Sequence, residues 1–201
     1  MTARLKRFAI LIALLLPLGG CVGFTLAKGG EPIDMGDGVS VQPPRDWNRM
    51  SIGKYEYWTL DGLRLQNILF VKGVEDGENI VFRRARNEEP EKDTFPKFKK
   101  GMTLLDIREL LETTWARQEF HRTRVTKFGP AKFGGRDGFE MIFTFDTKDG
   151  LEMRGWAVGA VVGERLFMAI YRGTRIHFYE RGEKDFRKII GSYRFPARPS
   201  S

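Results

Sequence analysis

Apolar and polar positions alternate along much of this chain with the period of two that marks half-buried strands, and twice they switch to helical spacing. Residues 139–145 set Phe139, Met141, Phe143 and Phe145 on one face. After residues 146–150 come a second run at 151–162, then Gly163-Glu164, then a third run at 165–172. A Gly-X pair between strands suits a type II′ turn, so these runs predict three antiparallel strands in a meander. Earlier, Val39-Ser40-Val41 reads as a short strand stopped by Pro43-Pro44, with Trp47 following as a core plug. Residues 55–60, 63–74 and 79–84, rich in aromatic and β-branched side chains, read as further strands. Asp-Gly pairs begin at Asp37, Asp61, Asp76, Asp137 and Asp149. They supply turn chemistry, because Gly accepts positive φ and Asp tolerates it. Those at Asp61 and Asp76 lie between strand-like runs and suit hairpins. The charged stretch 87–100, with Pro90 and Pro96, reads as loop.

Helical spacing appears first in residues 103–120, where Leu104, Ile107, Leu110, Leu111 and Trp115 share a face. Thr103 with Asp106 offers an N-terminal cap. Near the C-terminus Tyr179, Phe186, Ile189, Ile190 and Tyr193 repeat in the same way, ending near Gly191. Residues 193–195 then return to the sheet edge before Pro196. The whole predicts a single α+β domain over residues 39–195, an antiparallel sheet covered by helices, with a C-terminal tail at 196–201. There is no internal repeat.

The N-terminus follows a different pattern. A short basic head (Arg4, Lys6, Arg7) precedes an apolar run from residue 8 to 18, and the chain turns polar after Cys21, its single cysteine. The run is too short for a membrane-spanning helix, which needs roughly 20 apolar residues. It fits the hydrophobic core of a secretory signal. Leu18-Gly19-Gly20-Cys21 resembles the lipobox of bacterial lipoproteins. The resemblance implies a signal peptide at residues 1–20, cleavage between Gly20 and Cys21, and a thioether-linked diacylglycerol on Cys21, often with a third, palmitate-type chain on its amine. Two or more acyl chains anchor stably where one binds only marginally. Val22, in place of the Asp that commonly retains Gram-negative lipoproteins at the inner membrane, implies the outer membrane, facing the periplasm. Glycine-rich residues 21–38 read as a lipidated flexible tether.

Removing that leader changes the charge picture. It holds three of the 34 basic residues and none of the 26 acidic ones, so the formal charge falls from +8 to +5. Export argues against a nucleic-acid partner. A basic surface beside anionic headgroups is a secondary membrane attraction. With Cys21 carrying lipid no disulfide is available, and stability must come from the core.

Candidate chemistry is sparse. Ser51-Ile52-Gly53-Lys54 matches the Ser-x-x-Lys of penicillin-binding proteins, but that motif opens a helix and its companion Ser-Asp-Asn and Lys-Thr-Gly are absent. His121 and His177 are the two histidines, too few for a zinc site, so no metal or other cofactor is expected. Arg172, Arg175, His177 and Arg181 form a candidate anion-binding cluster, against the plainer reading of ordinary surface charge. Glu88, Glu89 and Glu91 lack calcium-loop spacing. Gly155, Gly159 and Gly163 mimic a membrane-helix dimer face, yet charges bracket them too closely, so they belong to a glycine-rich strand.

The 39–41 strand followed by Pro44 and Trp47, the run Gly135-Arg136-Asp137-Gly138-Phe139, and the closing helix through Phe195 resemble the PsbP/Mog1-like group. That resemblance implies an αβα sandwich used as a binding module without a common catalytic residue. The expected protein is a lipid-anchored, non-catalytic envelope module that binds an envelope protein or an anionic ligand, or supports an assembly. The alternative is a cell-envelope hydrolase with an unrecognised active site.

Overall fold

The computed structural model describes residues 23–80, 95–118 and 120–196. Among the described residues are ten strands: β1 (Thr25–Ala27), β2 (Ile33–Asp34), β3 (Ser40–Val41), β4 (Trp47–Ile52), β5 (Tyr55–Thr59), β6 (Gln66–Val74), β7 (His121–Phe133), β8 (Arg136–Asp146), β9 (Glu152–Val162) and β10 (Arg165–Thr174). The same residues hold two helices, α1 (Leu104–Ala116) and α2 (Phe178–Ser192). Eight strands form one antiparallel sheet in the order β1-β4-β5-β6-β10-β9-β8-β7, while β2 and β3 form a small hairpin. The chain winds from one edge to the centre at β6, crosses by α1 to the far edge at β7, and returns as the meander.

Both faces are covered. On one, α2 and the β2–β3 hairpin pack over Trp58, Phe70, Trp156 and Tyr171; on the other, α1 packs over Leu69, Val71, Phe143 and Ile170. Strand β6 is buried along its whole length because it lies between these layers. Helix α1 carries the expected capping box, with Thr103 and Asp106 bonding reciprocally. Phe186 of α2 meets Trp156 edge-on at 5.1 Å and stacks on Tyr171 at 5.4 Å. Tyr171 Oη lies 2.9 and 2.8 Å from the carbonyls of Phe178 and Tyr179, fixing where that helix starts. A Cβ at Gly182 would sit 2.4 Å from that hydroxyl, so glycine is what admits it.

Several expectations change. Residues 23–38, taken as part of a loose tether, are built into the fold: β1 pairs with β4, and Ala27 and Met35 are core residues. Cys21 and residues 1–22, with the signal, the lipobox and the start of the 21–38 segment, lie outside the described residues. So do most of the strand expected at 79–84, most of the 87–100 loop and the 197–201 end of the tail. Asn79 does bridge Lys97. The apolar pattern of the sequence does not mark strands β4 and β7. The Gly163-Glu164 turn has φ of 56° and 62°, the two positive values of a type I′ turn rather than type II′. Between β7 and β8 the turn is Gly134-Gly135, with φ of 53° and 79°. Asp137-Gly138 lies inside β8, where a Cβ on Gly138 would fall 2.0 Å from the Gly159 carbonyl oxygen.

Candidate functional site

The residues of the expected anion cluster do not converge. Arg172 shares its face of β10 with Met168 and Ile170, on the α1 side, where two of its guanidinium nitrogens bond Asn67 Oδ1 at 3.2 and 2.8 Å. Burial pushes its pKa down, and Phe120 lies 5.6 Å beneath the cation. Arg175 pairs with Glu152 at 3.0 Å, and Arg181 with Asp61 at 3.4 Å. His177 is exposed at the start of α2 with φ of 75°, its ring edge-on to Phe178. The positive φ falls where the chain turns from β10 into the helix.

Arg175 does line a small cleft of 380 Å³ with Thr126, Thr144, Arg154, Tyr179 and Glu180. Arg154, which no sequence signal singled out, lies 4.6 Å over the Tyr179 ring. Burial pushes the Tyr179 phenol up to about 12, against the pull of Arg154. The cleft offers two guanidinium groups and two threonine hydroxyls, with the Glu180 carboxylate set against them.

A second depression is larger, 880 Å³, and mostly apolar. Phe24, Leu63, Leu65 and Leu151 line it, with Asp61 and Arg64 among its polar residues. The β5–β6 and β8–β9 loops meet there with Asn48 of β4 and the residue before β1, at the end of the sheet where β5 passes into β6. Asp61 is engaged by Arg181 and Arg64 by Asp149.

Ser51 and Lys54 sit on the β4–β5 hairpin, not at a helix start, and Lys54 pairs with Glu78. The helical turn that would place lysine over serine does not form. Deeper in the molecule, Glu56 is wholly buried with Arg49 Nε 2.8 Å from Oε1 and Lys72 Nζ 4.0 Å from Oε2. The Trp58 indole donates to the same Oε1 at 2.6 Å, and Lys72 donates to the Met35 carbonyl. Arg49 also reaches the Asp34 carbonyl at 3.3 Å. This group of charges pins the β2–β3 hairpin to the sheet. Among the described residues no three His, Cys, Asp or Glu side chains are grouped to hold a metal ion.

No family model matches the sequence, and no curated protein matches it. Solved structures do match in shape. The solution structure of cyanobacterial PsbP (CyanoP) from Synechocystis sp. PCC 6803 superposes with a TM-score of 0.54 at 12% identity, covering 90% of this chain and 99% of its own. The fold is PsbP-like. A crystal structure from Bacteroides thetaiotaomicron VPI-5482 aligns at a TM-score of 0.49 and 14% identity, over 87% of this chain and 51% of that one. The PsbP-like layout is the antiparallel sheet with its two helices described above.

Proposed function

We propose that this protein is a lipid-anchored module of the bacterial cell envelope that acts by binding or by supporting an assembly, without catalysis. The observation that carries the reading is Leu18-Gly19-Gly20-Cys21, holding the sole cysteine, followed at once by a folded body whose first strand begins at Thr25. Acyl chains on Cys21 would hold the domain at a membrane surface, the outer membrane facing the periplasm in a Gram-negative cell. A PsbP-like fold with an apolar depression and a small polar cleft is compatible with a binding module. The ligand or partner would be an envelope protein, or an anionic group met by Arg154 and Arg175.

The deciding experiment is fatty-acid labelling with intact mass measurement of the full chain and its Cys21→Ser variant. Wild type is expected to label, to lose residues 1–20, and to stay with membranes through a high-salt wash, because acyl burial is far less salt-sensitive than headgroup attraction. Cys21→Ser is expected to be exported without labelling. A mature protein with an unmodified thiol, or a variant that still labels, would sink the reading.

A further inference from the structure

We propose that the sheet face formed by Phe24 and Leu26 at β1 and Ile52 on β4 is the surface on which the domain rests against a phospholipid bilayer. The proposal rests on the lipoprotein reading, since the lipid on Cys21 is what brings this face to the membrane.

Side-chain parity and a shared depression bring the three together. Ala27 and Trp47 are paired and both enter the α2-side core, and Arg49, opposite Thr25, turns to buried Glu56 on that side. Successive strand side chains point to opposite faces, so Leu26, Asn48 and Ile52 project the other way, and Phe24, just before β1, lines the apolar depression together with Asn48. Helix α1 lies on that second side but farther across the sheet. The core beneath it draws on β6, β8, β9 and β10 and takes no residue from β1 or β4. Phe24, Leu26 and Ile52 are consequently left 50%, 60% and 49% exposed.

The two edges of the sheet make the point by contrast. A solvent-facing edge strand is ordinarily blunted by charge, proline or bulges. Strand β7 obeys, with Arg122, Arg124, Lys127, Pro130, Lys132 and two breaks in register. Strand β1 is Thr25-Leu26-Ala27, uncharged and apolar outward. Such an edge is a liability in water and an advantage against lipid.

Chain length selects the occupant. Phe24 follows Cys21 by three residues, at most about 11 Å of fully extended chain. An acylated Cys21 therefore leaves β1 within reach of the headgroup layer, where amphipathic surfaces sink ~5–10 Å toward the acyl boundary. Phenylalanine, leucine and isoleucine side chains match that depth.

The test uses the full, processed chain in vesicles of phosphatidylethanolamine and phosphatidylglycerol whose acyl chains are brominated. One variant carries a thiol-linked fluorophore at Ile52→Cys. A control carries it at Ile176→Cys, a site 82% exposed beyond the opposite end of the strands. The Ile52 probe is expected to be quenched about threefold more than the Ile176 probe, as an interfacial seat requires. Adding Leu26→Glu is expected to reduce that quenching while Tm and vesicle attachment hold. Intact mass reads the lipid on Cys21 separately. An unlipidated Cys21 removes the lipoprotein reading and the seat with it. A lipidated protein with equal quenching at both sites overturns the seat alone, as does cross-linking through position 52 into a dimer, which would assign the face to a second copy.

Discussion

Arg49 Nε lies 2.8 Å from Glu56 Oε1, and that carboxylate has no exposure to solvent. With Lys72, 5% exposed, 4.0 Å from its other oxygen, the group holds one anion and one cation away from water beside an Arg49 that is 20% exposed. Removing one partner of a buried ion group is far costlier than never having built it, because the remaining charge keeps its desolvation penalty. Glu56→Gln preserves shape and removes the anion, leaving both cations unmatched. It is expected to lower the unfolding free energy by roughly 3–5 kcal/mol. Lys72→Met leaves a neutral Arg49–Glu56 pair and one unpaired Met35 carbonyl, and is expected to lose about 1–3 kcal/mol. Urea denaturation of the two variants checks the order. If Lys72→Met proved the more damaging, the carboxylate would not be what holds the group together.

Phe143 is paired across the ladder with Gly155, and Phe139 with Gly159. A Cβ on Gly155 would lie 2.2 Å from the Phe143 ring, and one on Gly159 2.6 Å from Phe139. The glycines let aromatic rings lie flat over the neighbouring strand, which explains their spacing of four without any membrane helix. Gly155→Ala is expected to destabilise by about 1–3 kcal/mol through overpacking. Gly191→Ala, in α2 with open space around its Cβ, is expected to stabilise by roughly 0.5–1 kcal/mol. Thermal unfolding of both variants against wild type measures the contrast, and a neutral Gly155→Ala would count against it.

The sequence displays the centre of this fold better than its edges. The meander strands and both helices are buried on one or two faces, so their apolar periods are strong and their positions come out nearly as observed. Strand β4 alternates Trp47, Arg49 and Ser51 against Asn48, Met50 and Ile52, and its inward Arg49 hides the pattern by pairing with a buried glutamate. Strand β7 carries Gly129-Pro130 and many charges because it is an edge, and those residues resemble a loop. Strand β1 is only three residues long. The site was less legible still. Arginines adjacent along 172–181 diverge because one lies in a strand, one just beyond it and one on a helix, each claimed by a different partner. Arg154 and Arg175 come together only through the pairing of β9 with β10, a relation that spacing along the chain does not carry.

The cap of α1 predicts a pH dependence. Hydrogen bonds from the Thr103 side chain and then its backbone N–H hold the Asp106 carboxyl below the ordinary carboxylate range, against a small opposing effect of burial. A group whose folded pKa is depressed stabilises above its unfolded value, about 3.9 for Asp, and that stability is lost as pH falls through the folded pKa. Between neutral pH and 5 the cap is expected to contribute fully, and acidification below about 4 to weaken it. Thr103→Ala is expected to lower Tm at neutral pH by removing the cap. The same variant should flatten the acid limb of the Tm–pH profile relative to wild type. Parallel curves would show that Asp106 senses nothing of Thr103.

Residues 23–38 settle how short a self-sufficient form can be. Ala27 is paired with Trp47, and the Met35 carbonyl receives Lys72. Gly29 N–H donates to Asp46 at 2.8 Å and Gly30 N–H to the Pro43 carbonyl at 2.8 Å. A Cβ on Gly29 would fall 2.4 Å from Arg45 Cα, so two backbones touch there. A chain beginning at Val39 would therefore uncover Trp47, leave the Lys72 ammonium without its carbonyl, and bare the outer edge of β4. Open apolar edges pair with other chains. The chain from Val39 is expected to aggregate or to show a molten thermal baseline, while one beginning at Gly23 unfolds cooperatively. Differential scanning calorimetry of the two, with sedimentation for their state of association, separates them. Matching transitions would mean that the first strand and hairpin are ornaments, and would restore a long, loose connection between Cys21 and the domain. Distinct transitions would keep that connection to the few residues before Thr25, and only so short a link holds one chosen face of the sheet toward a membrane.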